Sequence, residues 1–348
     1  RDVLGSRGLG DVYKRQAKYI AKEMGKDVSE MTYDYLTSKK FRDDFGQATF
    51  FTATDGNHGR GVAWAANKLG QKAVVHMPKG STQTRFDNIA KEGASVTIEE
   101  LNYDDCVRLA AKEAAETPHG VIVQDTAWDG YEEIPSWIMQ GYGSMAGEAA
   151  EQLREVEVNR PTHVFVQAGV GSLAGGVVGY FANLYPNNPP KFIVMEAGAA
   201  DCLYKGAEAG DGEPRIVGGD LQTIMAGLAC GEPNTIGWDI LRNHVSAFIS
   251  CPDWVSAKGM RMLAAPVKGD PSVTSGESGA VGMGVISSIM TDDAYKELRE
   301  ALELDNSSQV LMFSTEGDTD PDKYKKIVWG GEYPTCLLYT SPSPRDPK

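Results

Sequence analysis

Ala48-Thr49-Phe50-Phe51-Thr52 is a short apolar run that leads into Thr54-Asp55-Gly56-Asn57-His58-Gly59. Val62, Ala65, Ala66 and Leu69 then fall at i, i+3, i+4 and i+7, the stripe of a helix packed on one side. Gly70 sits where a C-terminal cap belongs. The same order of strand, turn and helix repeats down the chain. Short buried strands are expected at 73–76, 95–98, 121–124, 163–167, 192–196, 247–250 and 309–313. Helices are expected at 82–91, 104–116, 136–153, 173–184, 238–243, 254–264 and 280–289, with a glycine-rich stretch at 206–219. Short apolar strands separated by helices of this length imply an α/β fold with open parallel sheets. The best boundary is the charged helix end before Arg160-Pro161. It divides a small N-terminal α/β domain at 17–155 from a larger C-terminal one at 156–335.

Composition narrows the class of protein. The 348 residues carry a formal charge of −14, which argues against nucleic acid or an anionic membrane surface as the main partner. No apolar run reaches the roughly 20 residues of a membrane-spanning helix. Five cysteines without a C-x-x-C pair suit a reducing cytoplasm, and the five histidines show no metal-binding spacing. The ends read differently. Asp11-Val12-Tyr13-Lys14-Arg15-Gln16 and Cys336-Leu337-Leu338-Tyr339-Thr340-Ser341 are encoded by opposite strands of one short DNA that looks like a transposon end used in sequencing libraries. Residues 1–16 and 336–348 are therefore expected to be adapter-derived tails and are left out of the fold.

Chemistry in open α/β sheets gathers beyond the carboxyl ends of the strands. Three turns stand out there. Gly169, Val170, Gly171, Ser172, Leu173 and Ala174 follow a strand and open a helix, so glycine backbone and the positive helix end make a phosphate seat. The same glycines satisfy G-x-G-x-x-A, and Glu196 ends the next strand, which keeps a nicotinamide dehydrogenase open as an alternative. Thr54 to Gly59 is the second turn, a helix start suited to binding a carboxylate. In the third, Asp125 stands beside Trp128 at a strand end, where a carboxylate can act as acid, base or counter-ion.

The second turn closely resembles the T/S-x-G-N-H-G loop of fold-type II pyridoxal-phosphate enzymes, whose two sheets are of the tryptophan synthase β kind. Five runs (54–66, 124–128, 136–142, 224–234 and 314–320) resemble more narrowly the diaminopropionate ammonia-lyases. Asp55, in place of the commoner small residue, is the distinguishing mark. The resemblance implies pyridoxal 5'-phosphate as cofactor and an amino acid as substrate. It also implies α,β-elimination of D- and L-2,3-diaminopropionate to pyruvate and ammonia, in a homodimer. It assigns the substrate carboxylate to Thr54, Gly56, Asn57 and His58, and cofactor contacts to Asn57 and to Gly169–Ala174. Ser314 or Thr315 would meet the pyridine nitrogen. Asp55 would serve the D isomer at Cα, and Asp125 would hold the β-ammonium group. Gly276-Glu277-Ser278-Gly279 would begin a helix packed on the cofactor ring.

The chain departs from the pattern at one point. Fold-type II enzymes carry their Schiff-base lysine in an S/A-F-K run about forty residues before the asparagine loop, and this sequence has none. The position falls near Gly8, within the adapter-read tail, while Lys18 and Lys22 are expected on the outer side of their helix. The N-terminal part of the fold is thus expected to be missing and the chain to be inactive or nearly so. Alternatives are a serine or threonine dehydratase-like lyase and, if the ends are natural, a lysine-less amino-acid sensor.

Overall fold

A computed structural model of the chain describes residues 16–54 and 56–334. Two four-stranded sheets organise them. β1 (Thr49–Ala53), β2 (Lys72–Met77), β3 (Ser95–Ile98) and β4 (Gly120–Ile122) lie in the order β3-β2-β1-β4. β5 (His163–Gln167), β6 (Lys191–Ala197), β7 (Val245–Cys251) and β8 (Val310–Met312) lie in the order β7-β6-β5-β8. Every pairing is parallel, as the sequence pattern implies.

The reason lies in how the strands are covered. Successive strand residues point to opposite faces. In β5, Val164 and Val166 enter a core with Ala146, Val177 and Phe181, while Phe165 enters another with Val255, Val281 and Val285. In β1, Phe50 packs with Val62 and Val75, and Phe51 packs with Ala110 and Ala114. Both faces of these central strands are therefore buried, while the edge strand β3 keeps an alternating Ser95-Val96-Thr97-Ile98. Each such buried side chain contributes roughly 1.5–3 kcal/mol relative to exposure.

Most expected elements are present with ends moved by one to three residues. Among the described residues five further helices have no counterpart in the sequence reading: Cys202–Ala209 and Pro321–Val328, and the shorter Tyr33–Leu36, Lys39–Phe45 and Lys296–Leu302. The first runs into the glycine-rich stretch because Gly206 lets it approach Trp238: a Cβ there would stand 2.7 Å from the indole. The second had a legible signal, an Asp320 cap followed by proline in the first turn. The tail reading of residues 1–15 and 336–348 lies outside the described residues, as does Thr335. Gln16 is described: it is helical and buried, and its amide has no hydrogen-bond partner among the described residues.

Both sheets reverse direction at one place. From β1 the chain builds outward through β2 to β3 and then returns to β4 on the other side. From β5 it builds through β6 to β7 and returns to β8. The crevices between β1 and β4, and between β5 and β8, are thus the two topological switch points.

Candidate active site

The switch points collect the candidate residues. Thr54 and the helix Asn57–Lys68 follow β1, and Gln124-Asp125 follow β4. The helix Ser172–Leu184 follows β5, and Ser314-Thr315 follow β8. Asp55 lies outside the described residues.

After β1, Thr54 is buried and its hydroxyl oxygen accepts the Gly56 N–H at 3.0 Å. The first helical bond runs from Arg60 N–H to Gly56 O (3.2 Å), so the N–H groups of Asn57 and Gly59 stand at the helix start without acceptors from the helix. Gly59 is required by contact: a Cβ would lie 2.1 Å from Thr54 Cγ2. Asn57 is exposed, whereas the His58 ring reaches back so that Nε2 bonds the Val123 carbonyl at 2.8 Å.

After β5, the Gly175 N–H bonds Gly171 O at 2.8 Å, leaving the N–H groups of Ser172, Leu173 and Ala174 to face outward from the helix start. Gly171 has φ +97°, a conformation that favours glycine. At Gly169 a Cβ would meet Cys230 Sγ and Gly227 O at 3.2 Å. The Met225-Ala226-Gly227-Leu228 run is thus the floor under this loop, and Met225 and Leu228 are core residues.

Asp125 joins the two crevices. Its Oδ1 accepts from Tyr103 Oη at 3.1 Å and from Gln124 Nε2 at 3.0 Å. Its backbone carbonyl accepts from Ser172 Oγ and, at 3.1 Å, from Asn234 Nδ2. Burial, with the Asp125 charge second, pushes the Tyr103 phenol well above its ordinary value, so it stays a donor. Oδ2 makes no hydrogen bond among the described residues and is the oxygen left for a cationic group. Trp128 stacks on Tyr131, ring centroids 4.3 Å apart.

After β8, Ser314 Oγ donates to Ser275 Oγ at 2.8 Å, and Thr315 Oγ1 accepts from Gln167 Nε2 at 3.2 Å. Gly276 caps the helix Glu277–Thr291 at its start, and a Cβ on Gly279 would stand 3.3 Å from Ser314. Ser278 Oγ is buried, with no hydrogen-bond partner among the described residues.

Several other expectations resolve here. Glu196 is fully buried and accepts the N–H groups of Leu203 (2.9 Å) and Tyr204 (2.6 Å). It caps a helix and cannot reach a ribose, which removes the dehydrogenase reading. Cys202 and Cys230 are free thiols. Lys18 bonds Gln140 at 3.1 Å and Lys22 pairs with Glu133, both against the long helix Glu133–Glu155 and away from the crevices. A cavity of about 280 Å³ opens beside Tyr103, walled also by Lys79, Thr223 and Lys323. A larger one, about 360 Å³, lies at Gly198 and Ser250–Asp253 and touches none of the candidate residues. Sequence reading missed Tyr103 and Asn234; only the latter carried a signal, as a capping residue type ahead of a helix.

The arrangement offers two helix-start anion seats on facing sheets with a carboxylate between them, and comparison assigns its class. A family model described as pyridoxal-phosphate dependent enzyme matches residues 17–316, and the chain belongs to that family. Within it, the chain belongs with the diaminopropionate ammonia-lyases. It is 52% identical to the one from Salmonella typhimurium, covering 93% of this chain and 80% of that protein. It is 49% identical to the one from Escherichia coli, over 93% and 79%. The crystal structure of the Escherichia coli lyase in complex with D-serine superposes with a TM-score of 0.86 at 47% identity, covering 95% of this chain and 81% of that one. Probable D-serine dehydratases are more distant, at 26% for that of Geobacillus stearothermophilus.

Proposed function

We propose that the two crevices form one site at which this chain binds pyridoxal phosphate and carries the elimination chemistry of its family on 2,3-diaminopropionate. The observation that carries the reading is Asp125, tied by its backbone to Ser172 of the glycine loop and aimed by its side chain between the sheets. The residues present suit the cofactor. The N–H groups of Ser172–Ala174 and the glycines before them would hold its phosphate, and the Ser278 hydroxyl (unpartnered among the described residues) and close-packed Gly279 border the place for a ring. Ser314 or Thr315 would meet the ring nitrogen with a neutral hydroxyl, and Asn57 the phenolic oxygen. Bound there, pyridoxal phosphate supplies an electron sink for charge developing at the substrate's Cα.

The remaining roles belong to the chain's own groups. The helix start at Asn57 and His58, with Thr54 shaping the turn, binds the substrate carboxylate. Asp125 Oδ2 holds the β-ammonium group while Tyr103 and Gln124 fix Oδ1. Asp55 moves the proton at Cα of the D isomer, a role that rests on the sequence resemblance.

Purified chain is assayed for pyruvate from diaminopropionate and from D- and L-serine. Diaminopropionate is expected to be the preferred substrate. With no Phe-Lys run in the sequence, turnover is expected to be slow. Asp125→Asn is expected to raise KM for diaminopropionate by roughly 10–100-fold while leaving pyridoxal phosphate affinity nearly unchanged. Equal loss on serine would remove the β-ammonium role.

The proposal extends to organisation. Domains at 17–155 and 156–335 are supported by one complete sheet in each range. A homodimer acting in the cytoplasm, in amino-acid catabolism, follows from the family resemblance. Among the described residues no helix is long and apolar enough to cross a membrane.

A further inference from the structure

Asn234 is fully buried and leaves none of its polar atoms without a partner. Its N–H donates to Val170 O at 2.7 Å, inside the glycine loop. Its Oδ1 accepts from Gly237 N–H at 2.9 Å, capping the helix Thr235–His244. Its Nδ2 donates both to Ser172 Oγ (2.7 Å) and to the Asp125 carbonyl (3.1 Å). Ser172 Oγ in turn donates to that same carbonyl. The Ser172 hydroxyl proton is thereby committed to Asp125, so toward an anion the residue has only its backbone N–H to offer.

Capping needs only Oδ1. The two Nδ2 bonds run instead to the loop that would seat a phosphate and to the residue that would hold the β-ammonium group, which belong to different sheets. Thr235 reinforces the link, with its N–H 3.4 Å from Ala127 O. We infer that Asn234 is a positioning residue that locks the glycine loop and Asp125 into one rigid unit, so that the cofactor seat and the carboxylate that holds the substrate's β-ammonium group are set together. The inference rests on the site reading above.

The test uses Asn234→Ser, which keeps a capping oxygen but is too short to bridge, with Ser172→Ala and the double variant. Pyridoxal phosphate affinity is measured by fluorescence titration, and amide exchange is followed over residues 124–128 and 168–175 without ligand. Each single variant is expected to bind about tenfold more weakly. The double variant is expected to be little worse than either, because the bonds form one network. Both peptide segments should exchange faster together in Asn234→Ser. Wild-type affinity and exchange in Asn234→Ser would reduce Asn234 to a helix cap and overturn the inference. So would strictly additive losses, or loosening of one segment alone. Failure of the wild-type chain to bind pyridoxal phosphate would count against the site reading, and the exchange result would still decide the coupling.

Discussion

Asp125 and Glu196 are both acids beyond the carboxyl ends of parallel strands, and their surroundings give them opposite uses. Asp125 is half-buried and, among the described residues, keeps one oxygen without a hydrogen bond, so it can meet a ligand. Glu196 has no exposed surface and spends both oxygens on a helix start. Burial pushes Glu196 up from 4.5 to about 8, against the two N–H bonds that pull it down. The folded protein therefore holds that proton more tightly than the unfolded chain does, and the stability it contributes is lost as pH rises from about 4.5 to about 8. Glu196→Gln is expected to flatten the pH dependence of urea unfolding across this window. An unchanged slope would assign the dependence to other groups.

Glycines decide how closely the elements approach. The helices Asp253–Ala264 and Glu277–Thr291 cross at Gly259 and Gly284. A Cβ at Gly259 would lie 2.0 Å from Ala280 O, and one at Gly284 would lie 1.9 Å from Val255 O. In both places the obstacle is backbone, so neither helix can yield by turning a side chain. Gly259→Ala is expected to destabilise the chain by roughly 1–3 kcal/mol in urea unfolding. Because the displaced helix begins with Gly276 to Gly279 beside Ser314, pyridoxal phosphate affinity should fall with it. A variant as stable as wild type would show that the crossing has slack.

At the scale of the molecule, ion pairs span the crevice as well as hydrogen bonds. Arg85, on the helix Gln83–Ala90, reaches Glu277 at 3.7 Å, and both side chains are buried. Lys323 approaches Glu277 from the other side at 3.5 Å. Burial raises Glu316 nearby and Arg85 opposes the rise, so one guanidinium faces two carboxyls of the other sheet. Arg85→Met would strand buried carboxylate charge, with an expected loss of roughly 3–5 kcal/mol in stability. Adding Glu277→Gln should recover part of it, since the stranded charge is then removed. If the double variant is no more stable than Arg85→Met, the cost comes from packing alone.

Local sequence carried the elements, their parallel pairing and the identity of the turns. Those features depend on neighbours a few residues apart: apolar runs covered on both faces, helical spacing, and glycine at the start of a helix. The Asn57 and Gly169 loops were legible for that reason, and so was the family. That Glu196 would be sealed under a helix, and that Tyr103, Ser172 and Asn234 would converge on Asp125, were not legible. The convergence on Asp125 depends on groups 22 to 109 residues apart, brought together only when two sheets reverse direction, and the seal on Glu196 depends on the chain folding a helix back over the strand end. Hydrogen bonds and burial at that distance leave no periodic trace in the chain, so only the tertiary structure could decide them.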